Sequence, residues 1–274
     1  MDKLLDAIRK KNCILFVGAG VSINLGLPSW SKLIDQMGNE LEFDSEVFQC
    51  LGDYSTLAEY YRIQKGSIGS LRSWMDRTWH DSSIKIEKSP IHESIVKLGF
   101  PLIYTTNYDR WLEQAFTHYG VAFDKVAKVS DLSSIHPGRP QIVKFHGDFD
   151  DDATLVLDES SYFRRLDFES PLDLKLRADV LGKSVLFIGY SLSDINIRLL
   201  FWKLSQLWGM DRLAEAQPPS FVFTHSPNPI QEVVLAKRGI HVVSGIKASP
   251  GPALESFLSD LVEQTAFEQR ELKL

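Results

Sequence analysis

The chain has 274 residues, 44% hydrophobic and 24% charged, an ordinary globular composition with enough apolar residues for a sizeable core. Its 30 basic and 36 acidic residues leave a net charge of −6, which excludes a global basic field for nucleic acid. The two cysteines, Cys13 and Cys50, lack the C-x-x-C spacing of a zinc site, and no apolar run approaches the roughly 18 residues of a membrane span. A reducing, cytoplasmic setting without a secretory signal, membrane contact or direct nucleic-acid binding is expected from these features.

Residues 4–11 read as a short amphipathic helix with Leu4, Leu5 and Ile8 on one face. The apolar run 13–17 reads as a buried strand that ends in Gly18-Ala19-Gly20. A tight loop at Gly26-Leu27-Pro28 follows, and Ser29 or Ser31 can cap the next helix, which starts at Trp30. Strand, glycine turn, helix is the order in which α/β folds bind dinucleotide phosphates, because glycine admits close approach and free N–H groups meet the anion. Residues 30–80 carry helical spacing, and the stretch 31–88 is expected to form a helical insert or lid within one domain spanning 1–274.

Residues 91–98 continue helical. A second strand, 102–104, ends in Thr105-Thr106-Asn107-Tyr108-Asp109, and a helix covers 111–119. A third, 141–145, runs into His146-Gly147-Asp148, with 148–152 expected as an exposed acidic turn. Helices from Asp158 and over 172–181 precede a fourth strand, 184–188, which ends in Gly189-Tyr190-Ser191-Leu192-Ser193-Asp194. A helix over 195–207, strands over 220–223 and 240–243, and a helix over 253–265 complete the pattern. Apolar runs without strict alternation mark strands buried on both faces. The expected fold is therefore α/β, Rossmann-like and doubly wound, with a mostly parallel six-stranded sheet and a helical insert.

Ligands of open parallel sheets bind beyond the carboxyl ends of the strands. The unusual polar clusters stand there: Gly18, Gly20 and Ser22; Thr106, Asn107 and Asp109; His146 and Asp148; Gly189, Ser191 and Asp194. Several have two readings. Asn107, Asp109 and Asp194 are either ligand contacts or helix caps, Ser22 a ligand contact or a turn residue, and Trp30 a cofactor cover or a core residue. A plain Rossmann dehydrogenase does not fit, since the turn lacks a complete G-x-G-x-x-G.

The succession Gly18-Ala19-Gly20-Val21-Ser22, Gly26-Leu27-Pro28, Thr106-Asn107-Tyr108-Asp109, His146-Gly147 and Gly189-Tyr190-Ser191 resembles the sirtuin superfamily, specifically its NAD-hydrolase branch in bacterial antiphage defence proteins. The resemblance implies NAD as substrate, with its pyrophosphate over Gly18, Ala19 and Gly20. It puts nicotinamide near Asn107 and Asp109, Trp30 where the family has a phenylalanine that covers the cofactor, and Ser191 and Asp194 at the adenosine ribose, with Ser22, Pro28, Thr106, Gly189 and Tyr190 as further cofactor-binding residues. Asn107 would orient a water or ribose hydroxyl, and His146 would act as general base with a pKa suited to neutral pH. His225 is expected to have no key role. Deacylases of the superfamily carry a four-cysteine zinc module after the His-Gly pair, and an Asp-Phe-Arg after the Gly-x-Pro turn. Here 148–184 has no cysteine and Ser29-Trp30-Ser31 stands at the second place. The resemblance thus favours NAD glycohydrolysis without a metal, in a homo-oligomer that can pair with a HerA-type hexameric ATPase. A deacylase or ADP-ribosyltransferase, and a non-catalytic NAD or ADP-ribose sensor, are the rival readings.

Overall fold

The computed structural model describes residues 1–166, 170–191, 195–209, 217–245 and 249–271. In chain order the elements are α1 (Asp2–Arg9), β1 (Cys13–Val17), α2 (Ala19–Ile23), α3 (Trp30–Glu40), α4 (Ser45–Cys50), α5 (Tyr54–Lys65), α6 (Gly69–Trp79), α7 (Pro90–Leu98), β2 (Leu102–Thr105) and α8 (Trp111–His118). The second half continues with β3 (Asp124–Val126), β4 (Gln141–Lys144), α9 (Glu159–Leu166), α10 (Pro171–Val180), β5 (Ser184–Ile188), α11 (Ile195–Gly209), β6 (Ser220–Thr224), α12 (Pro229–Ala236), β7 (Ile240–Ser244) and α13 (Pro250–Glu271).

One seven-stranded sheet runs in the order β3-β4-β2-β1-β5-β6-β7, with every described pairing parallel. Strand β1 is central, and every residue of β1 and β5 is buried. Successive side chains leave a strand on opposite faces, and the two faces feed separate cores. Cys13, Leu15 and Val17 join α1, α7, α8 and α13 on one side. Ile14 and Phe16 join α10, α11 and α12 on the other. Phe16 stacks on Tyr104 with ring centroids 5.6 Å apart, tying β1 to β2.

The sheet has one strand more than the sequence suggested. Strand β3 was missed because its three residues, Asp-Lys-Val, form no apolar run, and only Val126 is buried. Short α2 and α12 were missed as well; α12 exposes Ile230 and Val233 and buries Leu235, which blurs its periodicity. Ser29 occupies the N-cap position of α3 without a capping side-chain bond, and Ser31 Oγ donates to Gln49 Oε1 at 3.1 Å instead.

Helices α3–α6 cover the stretch between β1 and α7 and are tied to the chain leaving β4. Arg72 Nε donates to Asp152 at 2.8 Å, and its guanidinium lies 3.4 Å from the centre of the Phe149 ring. Arg62 pairs with Asp158. The acidic turn at 148–152 is not wholly exposed. Asp148 is buried, because Lys125 of β3 reaches in to neutralise it.

Gly147 governs how the chain turns after β4. Its φ is +98°, and a Cβ there would lie 2.2 Å from the Thr154 carbonyl oxygen. Gly138 is equally left-handed, with φ +82°, but has open space around it. Gly138→Ala should therefore cost about 1 kcal/mol of backbone strain. Gly147→Ala should cost about 3 kcal/mol or more, since backbone must move as well. Thermal unfolding of the two variants checks this; equal losses would contradict it.

Candidate functional site

The site is built at the tips of β1, β2, β4 and β5. Residues Gly18–Gly20 and Gly189 pack backbone against backbone. Gly18 N–H donates to Ile188 O at 2.9 Å and Gly20 N–H to Gly189 O at 2.8 Å. A Cβ on Gly18 would lie 2.6 Å from Gly189 O, and one on Gly20 2.9 Å from Gly189 Cα. The glycines thus serve the contact between two strand tips, at the crevice between β1 and β5 where the sheet order reverses. The free N–H groups expected of a glycine turn are therefore not those of Gly18 and Gly20, which are already used. Tyr190 lies over the same tip, donating its hydroxyl to Val17 O at 2.9 Å and receiving Thr106 Oγ1 at 3.0 Å.

From β2, Thr105 Oγ1 donates to Val17 O at 2.9 Å and accepts the Asn107 N–H at 3.0 Å, so the turn after β2 is pinned to β1. Asn107 is 8% exposed. Its Nδ2 donates to Gly18 O at 3.1 Å and to Ser22 Oγ at 3.0 Å. Ser22 Oγ in turn donates its hydroxyl hydrogen bond to Asp109 Oδ2 at 2.7 Å. Both amide hydrogens of Asn107 are committed, so the group it presents to a ligand is its amide oxygen. Asp109 stands one residue before Arg110, the N-cap position of α8; its Oδ1 accepts the Trp111 N–H at 3.1 Å, and the residue also lines the cavity described below.

His146 follows β4. Its backbone carbonyl accepts the Val156 N–H at 2.8 Å, and its ring packs edge-on to Tyr162 with centroids 5.5 Å apart. Burial, and then the nearby Arg165 guanidinium, push its pKa down to about 3. The imidazole is therefore neutral throughout the physiological range, unlike the neutral-pH titration expected from the sequence. Arg165 itself is held by the Phe145 carbonyl and by Ser170 Oγ at 2.8 Å.

These tips enclose a cavity of about 630 Å³. Ala19, Gly20, Ser22, Pro28, Trp30, Thr106, Asn107, Asp109, His146, Gly189, Tyr190 and Ser191 line it. Gly18 stands behind the lining and contributes its carbonyl to Asn107. Asp194 lies outside the described residues. The cavity also takes Tyr54, Trp79, Tyr108 and Tyr162, which sequence reasoning missed. Trp30 meets Tyr108 edge-on at 6.4 Å and Trp79 stacks on Tyr108 at 6.2 Å, forming an aromatic wall. Tyr108 had a signal, since it separates Asn107 from Asp109 in the motif. Tyr54, Trp79 and Tyr162 had none, because they come from helices far along the chain. His225, for which no key role was expected, lines the cavity too. Among the described residues no lysine or arginine lines it. No group of His, Cys, Asp or Glu among them could hold a metal ion.

The model of the SIR2-like domain family matches residues 101–243. Two proteins named NAD(+) hydrolase ThsA are similar: that of Cytobacillus dafuensis is 30% identical over 211 residues, covering 76% of this chain and 41% of the relative. That of Enterococcus faecium is 31% identical over 196 residues, covering 70% of this chain and 40% of the relative. A Bacillus subtilis protein named Defense-associated sirtuin 2 is 27% identical over 257 residues, covering 88% of this chain and 24% of its own length. The chain thus spans about two fifths of the length of the ThsA relatives it matches. The matched segment includes β2, β4 and β5 and the Asn107, His146 and Gly189 turns that follow them, and on that basis the chain belongs to the SIR2-like domain family.

Proposed function

We propose that this chain is an NAD glycohydrolase that cleaves NAD to nicotinamide and ADP-ribose as a defence effector. The observation that carries the reading is the meeting of Asn107 and His146 on one cavity beside the Gly20–Gly189 contact. The names of the ThsA relatives and of the defence-associated sirtuin point the same way.

In the proposed reaction the bond between the ribose C1′ and the nicotinamide nitrogen breaks. The bonding pair leaves with nicotinamide, which departs neutral. Water supplies the new C1′–O bond and releases one proton. The Asn107 amide oxygen, fixed by the two bonds its Nδ2 makes, faces positive charge developing on the ribose and orients the incoming water. A neutral His146 keeps one ring N–H and accepts a hydrogen bond from a ribose hydroxyl at its other, unprotonated ring nitrogen. The aromatic wall of Trp30, Tyr108 and Trp79 keeps bulk water from the leaving group. A lining without lysine or arginine among the described residues does not repel the cationic nicotinamide ring.

We also propose a cytoplasmic protein that self-associates and can join a HerA-type hexameric ATPase. No described helix is long and apolar enough to cross a membrane. Ile230 at 76% and Val233 at 72% exposure give α12 an apolar outer face suited to burial against another surface.

Purified protein should release nicotinamide from NAD. Asn107→Ala should lower kcat about 100-fold or more, the usual cost of removing a group aimed at transition-state charge. Undiminished release from Asn107→Ala and His146→Ala would overturn the site. Because His146 is already neutral well above its lowered pKa of about 3, kcat/KM should show no ascending limb centred near 6.5, the ordinary histidine pKa. Such a limb between pH 5 and 8 would contradict the assignment. Native mass measurement should find a particle larger than one chain, alone or with the ATPase; a monomer in both samples would contradict the assembly reading.

A further inference from the structure

Lys144 ends β4, two residues before His146, and its side chain is shut away from solvent. It shares the sheet face of Ile142 and pairs in register with Thr105 of β2. Its Nζ donates to the backbone carbonyl of Asp109 and lies 3.2 Å from Glu113 Oε1. Glu113 belongs to the first turn of α8.

Stability alone is a poor reason for this arrangement. A buried ammonium loses its hydration, and a buried ion pair is often no better than apolar residues of the same volume. The location adds a further cost, because the start of α8 carries the positive end of the helix dipole. Glu113 faces the ammonium at 3.2 Å, but it is buried too and its pKa is raised by that burial, so the pair does not repay these costs. What the lysine supplies is a side-chain bond to the Asp109 carbonyl, beside the backbone bond from Phe149 N–H to Tyr108 O at 3.2 Å, from the β4 chain that delivers His146 to the turn that delivers Asn107.

We propose that Lys144 is a positioning residue, holding the Asn107–Asp109 turn of β2 at a fixed place relative to His146. The proposal rests on the hydrolase reading for its catalytic consequence and on geometry for the rest. Lys144 touches neither the cavity nor a reacting atom. It acts through the Asp109 carbonyl, while Ser22 and the Trp111 amide hold the Asp109 carboxylate from the other side.

The test uses Lys144→Met/Glu113→Leu, which removes both charges together so that neither is left buried alone. A single Lys144→Met variant, which strands Glu113, serves as the comparison and should be the less stable of the two. The double variant should melt at or above the parent temperature. In it, hydrogen exchange of segment 105–112 should rise about tenfold or more while the central strands stay protected. Its kcat for nicotinamide release should fall about tenfold with KM within about threefold, the signature of lost geometry rather than lost binding. Unchanged exchange in segment 105–112 of the folded double variant overturns the proposal. Exchange needs no turnover, so it decides the positioning claim even if the parent protein releases no nicotinamide, an outcome that would count against the hydrolase reading alone.

Discussion

The bond from Asn107 Nδ2 to the Gly18 carbonyl is the constraint on which the site depends. It joins the tip of β2 to the tip of β1, within the same cluster in which Gly20 touches Gly189 at the tip of β5. Three strands that are distant in the chain are thereby fixed at one rim before any ligand arrives. Parallel pairing sets the strands side by side, but it does not set the direction of side chains in the turns beyond them. That is done by a short run of buried polar bonds, Asn107 to Ser22 to Asp109 to Trp111, in which each donor has an acceptor. Buried networks of this kind specify one arrangement, because an unsatisfied member would be costly.

The site owes its character to low charge as much as to shape. His146 is kept neutral by burial and by Arg165, which is itself held outside the cavity lining by Phe145 and Ser170. The committed amide hydrogens of Asn107 leave its amide oxygen as the polar group of that side chain still available to a ligand. A neutral imidazole and an amide oxygen make a suitable surround for a carbon that becomes positive for a moment and is then taken by water. They are poorly suited to stabilising an anion. Helices α3–α6 close one side of this environment, and their ion pairs with the segment after His146 couple the cover to the strand tips.

Much of the scaffold was legible in the residues themselves. Cys13–Val17 and Ser184–Ile188 are apolar at every position but the terminal serine, which marks strands buried on both faces, and they flank the crevice. Where strand identity rests on partners rather than on apolar content, as in Asp124–Val126, the sequence carried no sign of it. The polar motifs were legible as well, because each follows an apolar run directly. Their chemistry was less so. Nothing local to Gly18-Ala19-Gly20 reveals that the amides of Gly18 and Gly20 are spent on β5, and nothing beside His146 in the chain announces that Arg165 will approach it. Both are facts of tertiary placement. The aromatic wall was hidden for the same reason: Trp79 and Tyr108 stack across 29 positions of sequence.

The most direct trial of the account is a crystal structure of the protein with a slowly cleaved NAD analogue. The account predicts the nicotinamide-bearing ribose between the Asn107 amide oxygen and the His146 ring, with nicotinamide against Trp30 and Tyr108 and the pyrophosphate crossing the Gly20–Gly189 contact. An analogue bound elsewhere, or bound with its ribose beyond hydrogen-bonding reach of both Asn107 and His146, would contradict it.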